Sequence, residues 1–67
     1  MSALVEKIYD TLTVGQIIKI ARILKEDSPS LRGKPAYVLV KEYIRDLASD
    51  GHTEADILES LPELLNR

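Results

Sequence analysis

The sequence predicts an all-α fold, a single small domain over residues 1–67 built from about four short helices. A length of 67 residues allows one domain and no more. Apolar residues recur at spacings of three and four along the chain, and no β-strand pattern or internal repeat interrupts them. Capping residues, glycines and prolines then divide this continuous pattern into separate helices.

The first two helices are predicted from apolar spacing and from one capping site. Apolar residues at intervals of four place the first helix at about residues 3–11: Leu4, Ile8 and Leu12. Thr13 is expected to cap the second helix in a capping box with Gln16. Seven of the eleven positions from 14 to 24 are apolar and fill more than one narrow stripe, which is typical of a buried helix or of half an interface. We expect this helix to end near Glu26.

The third and fourth helices follow after a stretch that contains Ser-Pro, Gly and Pro. Pro35 suits the first turn of the third helix, and Gly51 is expected just after its end in a left-handed conformation. Thr53 is the expected N-cap of the fourth helix, with Asp56 at its third position. Pro62 cannot lie inside a helix without a cost, so we expect a break with a new capped turn over 60–63.

Charge is distributed unevenly behind a net value of −2. Residues 19–45 carry seven Lys and Arg against three Asp and Glu, a net of +4. Residues 46–67 carry six acidic residues against one Arg, a net of −5. A basic centre and an acidic tail indicate either internal pairing or two surfaces for different partners.

The sequence contains few of the residue patterns that enzymes use, and we expect no catalytic residue, no cofactor and no metal. The chain has no Cys, and its single histidine, His52, lies in the expected turn between the third and fourth helices. No phosphate-binding glycine motif is present. No apolar run is long enough for a membrane span and the start does not resemble a signal peptide, so a cytoplasmic protein is expected.

The basic centre resembles the helix–extended-loop–helix pattern of SAP and Rho N-terminal-type domains over residues 12–44. The matching residues are Leu12, Thr13, Ile17, Ile20, Ala21, Arg22, Gly33, Lys34, Leu39, Val40 and Ile44. The resemblance implies that Arg32, Lys34 and Lys41 approach a phosphate backbone. Arg45, just after the matched segment, is the fourth base that the loop and helix over residues 30–45 could offer to phosphates.

Residues 47–64 resemble the helix-turn-helix segment of antitoxin-type proteins in the homeodomain-like superfamily. The matching residues are Leu47, Ala48, Ser49, Gly51, Thr53, Ile57, Leu58, Pro62 and Leu64. The would-be recognition helix is acidic, with Glu54, Asp56 and Glu59, and these charges would repel phosphates. Such a helix suits a protein-binding or DNA-mimicking surface better than DNA reading.

Self-association is the third possibility, because 17 Ile and Leu in four short helices exceed what one small core needs. Ile20, Ile23 and Tyr43 are the expected apolar residues of an interaction surface, although a well-packed monomer could absorb them instead. We expect a protein that is at least partly dimeric at micromolar concentration.

The function that the sequence favours is a non-enzymatic regulatory or adaptor module that binds a protein partner, itself, or both. Its surface would combine an apolar helix face with the basic centre and the acidic fourth helix. The alternative is a nucleic-acid binder that uses the basic loop and helix over residues 30–45. Bases gathered on one face would favour nucleic acid, whereas bases interleaved with the tail acids would favour protein association.

Overall fold

A computed structural model describes residues 3–66 and shows an all-α fold. Four α-helices follow in order, α1 Ala3–Tyr9, α2 Val14–Asp27, α3 Ala36–Ser49 and α4 Glu54–Leu65. A short 3-10 turn, Pro29–Leu31, lies between α2 and α3. No β-strand occurs within residues 3–66. The four-helix prediction is confirmed.

Both predicted threonine caps are present as reciprocal capping boxes. At the start of α2 the Gln16 amide donates to Thr13 Oγ1 at 3.1 Å, and the Thr13 amide donates to Gln16 Oε1 at 2.9 Å. At the start of α4 the Asp56 amide donates to Thr53 Oγ1 at 3.2 Å, and the Thr53 amide donates to Asp56 Oδ2 at 3.3 Å. Each box satisfies amides that the first helical turn leaves without a partner.

The end of α3 is closed by a Schellman motif. Gly51 has a φ of 96°, the left-handed conformation expected for it. The His52 amide donates to the Leu47 carbonyl and the Gly51 amide to the Ala48 carbonyl, both at 3.2 Å. The chain therefore turns sharply from α3 into the cap of α4.

The expected break at Pro62 is wrong, because α4 runs without interruption from Glu54 to Leu65. Leu61 and Leu64 on either side of the proline are both buried, so continuing the helix keeps two leucines in the core. Pro62 and Leu58, four residues earlier, are exposed. Because Pro62 has no amide hydrogen, the Leu58 carbonyl lacks its usual helical donor, and water can donate a hydrogen bond to it instead.

Two boundaries differ slightly from prediction. The α1 helix ends at Tyr9 and is followed by a turn in which the Leu12 amide donates to the Tyr9 carbonyl at 3.0 Å. Pro35 caps α3 rather than lying in its first turn, and the helix begins at Ala36. Both are shifts of one or two residues at helix ends.

The core forms where α3 packs against the other three helices. It consists of ten apolar side chains that are nearly inaccessible to solvent: Val5, Ile8, Ile20, Ala21, Leu39, Val40, Ile44, Ile57, Leu61 and Leu64. All four helices contribute, and on α1, α3 and α4 the core residues recur at spacings of three or four. Between Ala3 and Asn66 no helix is both long and apolar enough to cross a bilayer.

Candidate partner-binding face

The outer side of α2 carries a line of accessible side chains, called here the α2 stripe: Val14, Ile18, Arg22 and Lys25. Their spacings of four, four and three place them on one side of the helix. Val14 is 73% exposed and Ile18 is 49% exposed, so the first half of the stripe presents apolar surface to solvent. The stripe is apolar in its first half and basic in its second.

A cleft opens beside the second half of the stripe, with a volume of about 330 Å³. We call it the basic cleft, and seven residues line it: Ile18, Ala21, Arg22, Lys25, Glu26, Arg32 and Ala36. Three of these are basic and one is acidic, so the formal charge of the lining is +2. The remaining lining residues are apolar, so the cleft combines an apolar surface with a positive rim.

The turn between α2 and α3 places Arg32 at this cleft. The Ser28 amide donates to the Leu24 carbonyl at 2.9 Å where α2 ends, and the Arg32 amide donates to the Pro29 carbonyl at 3.2 Å. The short 3-10 turn thus returns the chain alongside α2. Pro35 then starts α3 without a side-chain cap, which leaves the positive end of the helix dipole at Ala36, beside the bases.

The three cleft bases differ from Lys34, Lys41 and Arg45 in having no ion pair within residues 3–66. Within residues 3–66, no ion pair joins Arg22, Lys25 or Arg32 to an acid. The cleft acid Glu26 is itself exposed and forms no such pair with them in that part of the chain. Their charges are therefore available to a partner.

The four bases that the sequence predicts for a partner or phosphate are not brought together. Only Arg32 lines the basic cleft. Lys34 pairs with Glu42 at 3.3 Å and Lys41 with Glu6 at 3.2 Å, while Arg45 Nη2 lies 3.8 Å from Asp46 Oδ1. Three of the four charges are thus opposed locally by an acid.

Lys41 takes part in the packing of the fold and is not freely accessible to a partner. Its side chain is 20% exposed, and its Nζ lies 4.8 Å from the centre of the Tyr9 ring as well as beside Glu6. Both partners belong to α1 or its end, so Lys41 links α3 to α1. A cation held by a carboxylate and an aromatic face stabilises this packing.

The apolar residues expected on the interaction surface lie deeper than predicted. Ile20 is fully buried, so its assignment to a surface is wrong; it lies on the inner side of α2 among the core residues. Ile23 and Tyr43 are half-buried against the core. Tyr43 also lines two shallow hollows of about 190 and 280 Å³.

Sequence reasoning missed the exposed apolar residues Val14 and Ile18 because seven of the eleven positions from 14 to 24 are apolar and do not mark one side of α2 as the core side. A signal was present nonetheless. Arg22 and Lys25 follow Ile18 by four and seven residues, so they lie on its side of the helix. Since charged residues mark the solvent side of a helix, they point to the exposed face of α2.

The outer side of α4, called here the acidic α4 face, consists of exposed residues: Ala55, Asp56, Leu58, Glu59, Pro62 and Glu63. Leu58 is 37% exposed and lies beside Ala55 and Pro62 at helical spacing. Of the predicted acidic residues, Glu59 is free on this face, Asp56 also serves the Thr53 cap, and Glu54 pairs with Lys7 at 3.1 Å. This face is therefore apolar along one edge and acidic along the other.

Among residues 3–66 the basic centre and the acidic tail are joined by a contact between the neighbours Arg45 and Asp46. The ion pair that reaches α4 in this part of the chain comes from Lys7 on α1, not from the central bases. Two other central bases pair with acids of α1 and α3, and three line the basic cleft. The remaining central base, Lys19, is exposed, does not line the cleft and forms no ion pair within residues 3–66.

Comparisons with protein-family models, with curated proteins and with solved structures found no match for the chain. The resemblances to SAP-type and antitoxin-type domains stay predictions. The surface geometry therefore carries the functional argument.

Proposed function

We propose that this chain is a small non-enzymatic regulatory or adaptor module that acts in the cytoplasm by binding a protein. The observation that carries the proposal is the α2 stripe, where exposed Val14 and Ile18 continue directly into the basic cleft. Large apolar residues next to unpaired cations are costly to leave in water, yet they form a good contact for a complementary surface.

The composition of this face matches the composition of protein interfaces. Their centres are apolar, and arginine and tyrosine are enriched among the residues that contribute most to binding. Here Ile18 and Ala36 line the cleft, Arg22 and Arg32 lie at it, and Tyr37, next along α3, is 55% exposed. Burying such apolar area contributes about 25 cal/mol per Å² before the costs of association.

Nucleic-acid binding is the second candidate, and the unpaired state of the three cleft bases is what favours it. Phosphate binding gains affinity with each neutralised contact, so three bases supply little. The predicted phosphate-binding set is weakened further because Lys34, Lys41 and Arg45 each lie beside an acid. The net charge of −2 also opposes approach to a polyanion.

Affinity capture separates the two candidates when it is combined with a cleft variant. The tagged chain is used as bait in extracts of the cells that produce it, with and without nuclease. A second bait carries Arg22→Ala, Lys25→Ala and Arg32→Ala together. We expect a protein that the first bait retains after nuclease and that the cleft variant loses.

The matched control bait carries Lys7→Ala, Lys34→Ala and Arg45→Ala, which removes the same charge away from the cleft. It should retain the captured protein. Circular dichroism of all three baits checks that the helices remain formed. Capture that disappears with nuclease, together with binding of a fluorescent duplex tighter than about micromolar near 150 mM salt, would favour nucleic acid instead.

A further inference from the structure

We infer that the partner of the α2 stripe and basic cleft is a second copy of this chain, which presents its acidic α4 face. The inference rests on the proposed function, since it names the occupant of the same surface. It goes further by assigning the binding surface on both molecules. One chain would contribute α2 and the turn after it, and the other would contribute α4.

The two surfaces are complementary in charge and in apolar character. The first carries Arg22, Lys25 and Arg32 beside exposed Ile18. The second carries Asp56, Glu59 and Glu63 beside Leu58 and Pro62. Opposite charges beside matching apolar residues both attract the correct partner and fix its position.

The charged residues of each surface lie on one side of their helix. On α2, Arg22 and Lys25 follow Ile18 by four and seven positions. On α4, Glu59 and Glu63 are four positions apart, and the exposed residues Leu58 and Pro62 form the neighbouring edge. Each surface therefore places its charges next to exposed apolar residues.

Within residues 3–66 the bases of the cleft and the acids of the α4 face form no ion pair with each other. The ion pairs found among residues 3–66 do not join Arg22, Lys25 or Arg32 to α4. The accessible surface of the chain is 4323 Å². A contact at the lower end of the specific range buries about 600 Å² on each partner, roughly one seventh of that surface. The chain has room for both surfaces.

Charge reversal tests the contact through complementation of two variants. The cleft variant carries Arg22→Glu, Lys25→Glu and Arg32→Glu, and the α4 variant carries Glu59→Lys and Glu63→Lys. Sedimentation equilibrium is measured for each chain between about 10 µM and 1 mM, the range of a weak specific contact. We expect the unmodified chain to associate and each variant alone to associate at least tenfold more weakly. An equimolar mixture of the two variants should associate again, because the reversed cleft of one variant then meets the reversed α4 face of the other, while the two unmodified surfaces also remain complementary.

A matched control variant carries Lys7→Glu, Lys34→Glu and Arg45→Glu. It has the same net charge as the cleft variant but keeps both proposed surfaces, so it should associate within about threefold of the unmodified chain. Circular dichroism confirms folding of each variant before sedimentation. A mixture that associates no better than the separate variants overturns the inference, and so does an unmodified chain that stays monomeric throughout.

These outcomes are distinguishable from failure of the proposed function. A monomeric chain whose cleft still captures a nuclease-resistant protein would refute the second copy as partner and leave the binding module standing. A chain that associates while both variants match it would place the contact elsewhere and also refute the inference.

Discussion

The helices α2 and α3 have the same length, 14 residues, and both carry central bases, yet they use them differently. On α3, Lys41 is held against α1 and Arg45 lies beside an acid. On α2, Arg22 and Lys25 line an open cleft without a carboxylate partner among residues 3–66. Basic charge in the sequence therefore does not by itself identify a binding surface.

The difference follows from the position of each helix in the fold. The α3 helix packs against all three others, so three of its apolar residues are buried and its charged residues meet neighbouring elements. The α2 helix buries Ile20 and Ala21 and keeps its opposite side open. A central helix uses its side chains for packing, whereas a peripheral one can offer them to a partner.

The largest expected effect on the free energy of unfolding is the difference between truncating a buried isoleucine of α3 and truncating a half-exposed isoleucine of α2. Ile44→Ala on α3 should lower the free energy of unfolding by about 2–5 kcal/mol, because Ile44 is fully buried and truncation leaves a cavity. Ile18→Ala on α2 should change it by less than about 0.5 kcal/mol, since this side chain is half exposed. Urea denaturation at dilute protein, followed by circular dichroism, measures both. Equal losses would contradict the assignment of Ile18 to an open face.

A smaller effect of opposite signs is expected at two glycines. Gly51→Ala after α3 should destabilise by about 1–2 kcal/mol, because alanine is strained at a φ of 96°. Gly15→Ala in α2 should stabilise by about 0.5–1 kcal/mol, because its added Cβ would lie 4.0 Å from Thr13 Oγ1, an ordinary contact. Thermal melts of both variants check the signs. Destabilisation by Gly15→Ala would show that the start of α2 is more constrained than its exposure indicates.

Local signals in the sequence predicted the helices well because caps and terminators act over a few residues. Thr13, Thr53 and Gly51 each bond within their own turn, so their partners could be identified by position alone. Pro62 was interpreted wrongly because the burial of Leu61 and Leu64 is a tertiary effect that outweighs a local preference.

The candidate site was predicted less well because its definition depends on distant pairs. Lys41 and Glu6 are 35 residues apart, and nothing in their spacing shows that one neutralises the other. Ile18 and Ile20 are two positions apart in the same helix, yet Ile20 is buried and Ile18 is half exposed. The packing of α2 against α3 and α4 decides which side of the helix faces the core.

The smallest expected effect on the free energy of unfolding concerns Lys41. It distinguishes a base of α3 that takes part in packing from a base of α2 that is left for a partner. Lys41→Ala should destabilise by about 1 kcal/mol, through the loss of the Glu6 pair, the contact with the Tyr9 ring and the packing of its largely buried stem. Lys25→Ala on α2 should change the free energy of unfolding by less than about 0.5 kcal/mol, because no ion pair within residues 3–66 is lost.

Lys41→Met separates the charge from the stem, because methionine keeps most of the apolar packing and should recover part of the loss. Raising the salt concentration should reduce the difference between the methionine variant and the unmodified chain, since salt screens the partly exposed pair with Glu6. Denaturant titrations at low and high salt measure both effects. If Lys41→Ala proves as neutral as Lys25→Ala, the distinction between a base used for packing and a base left for a partner fails at Lys41.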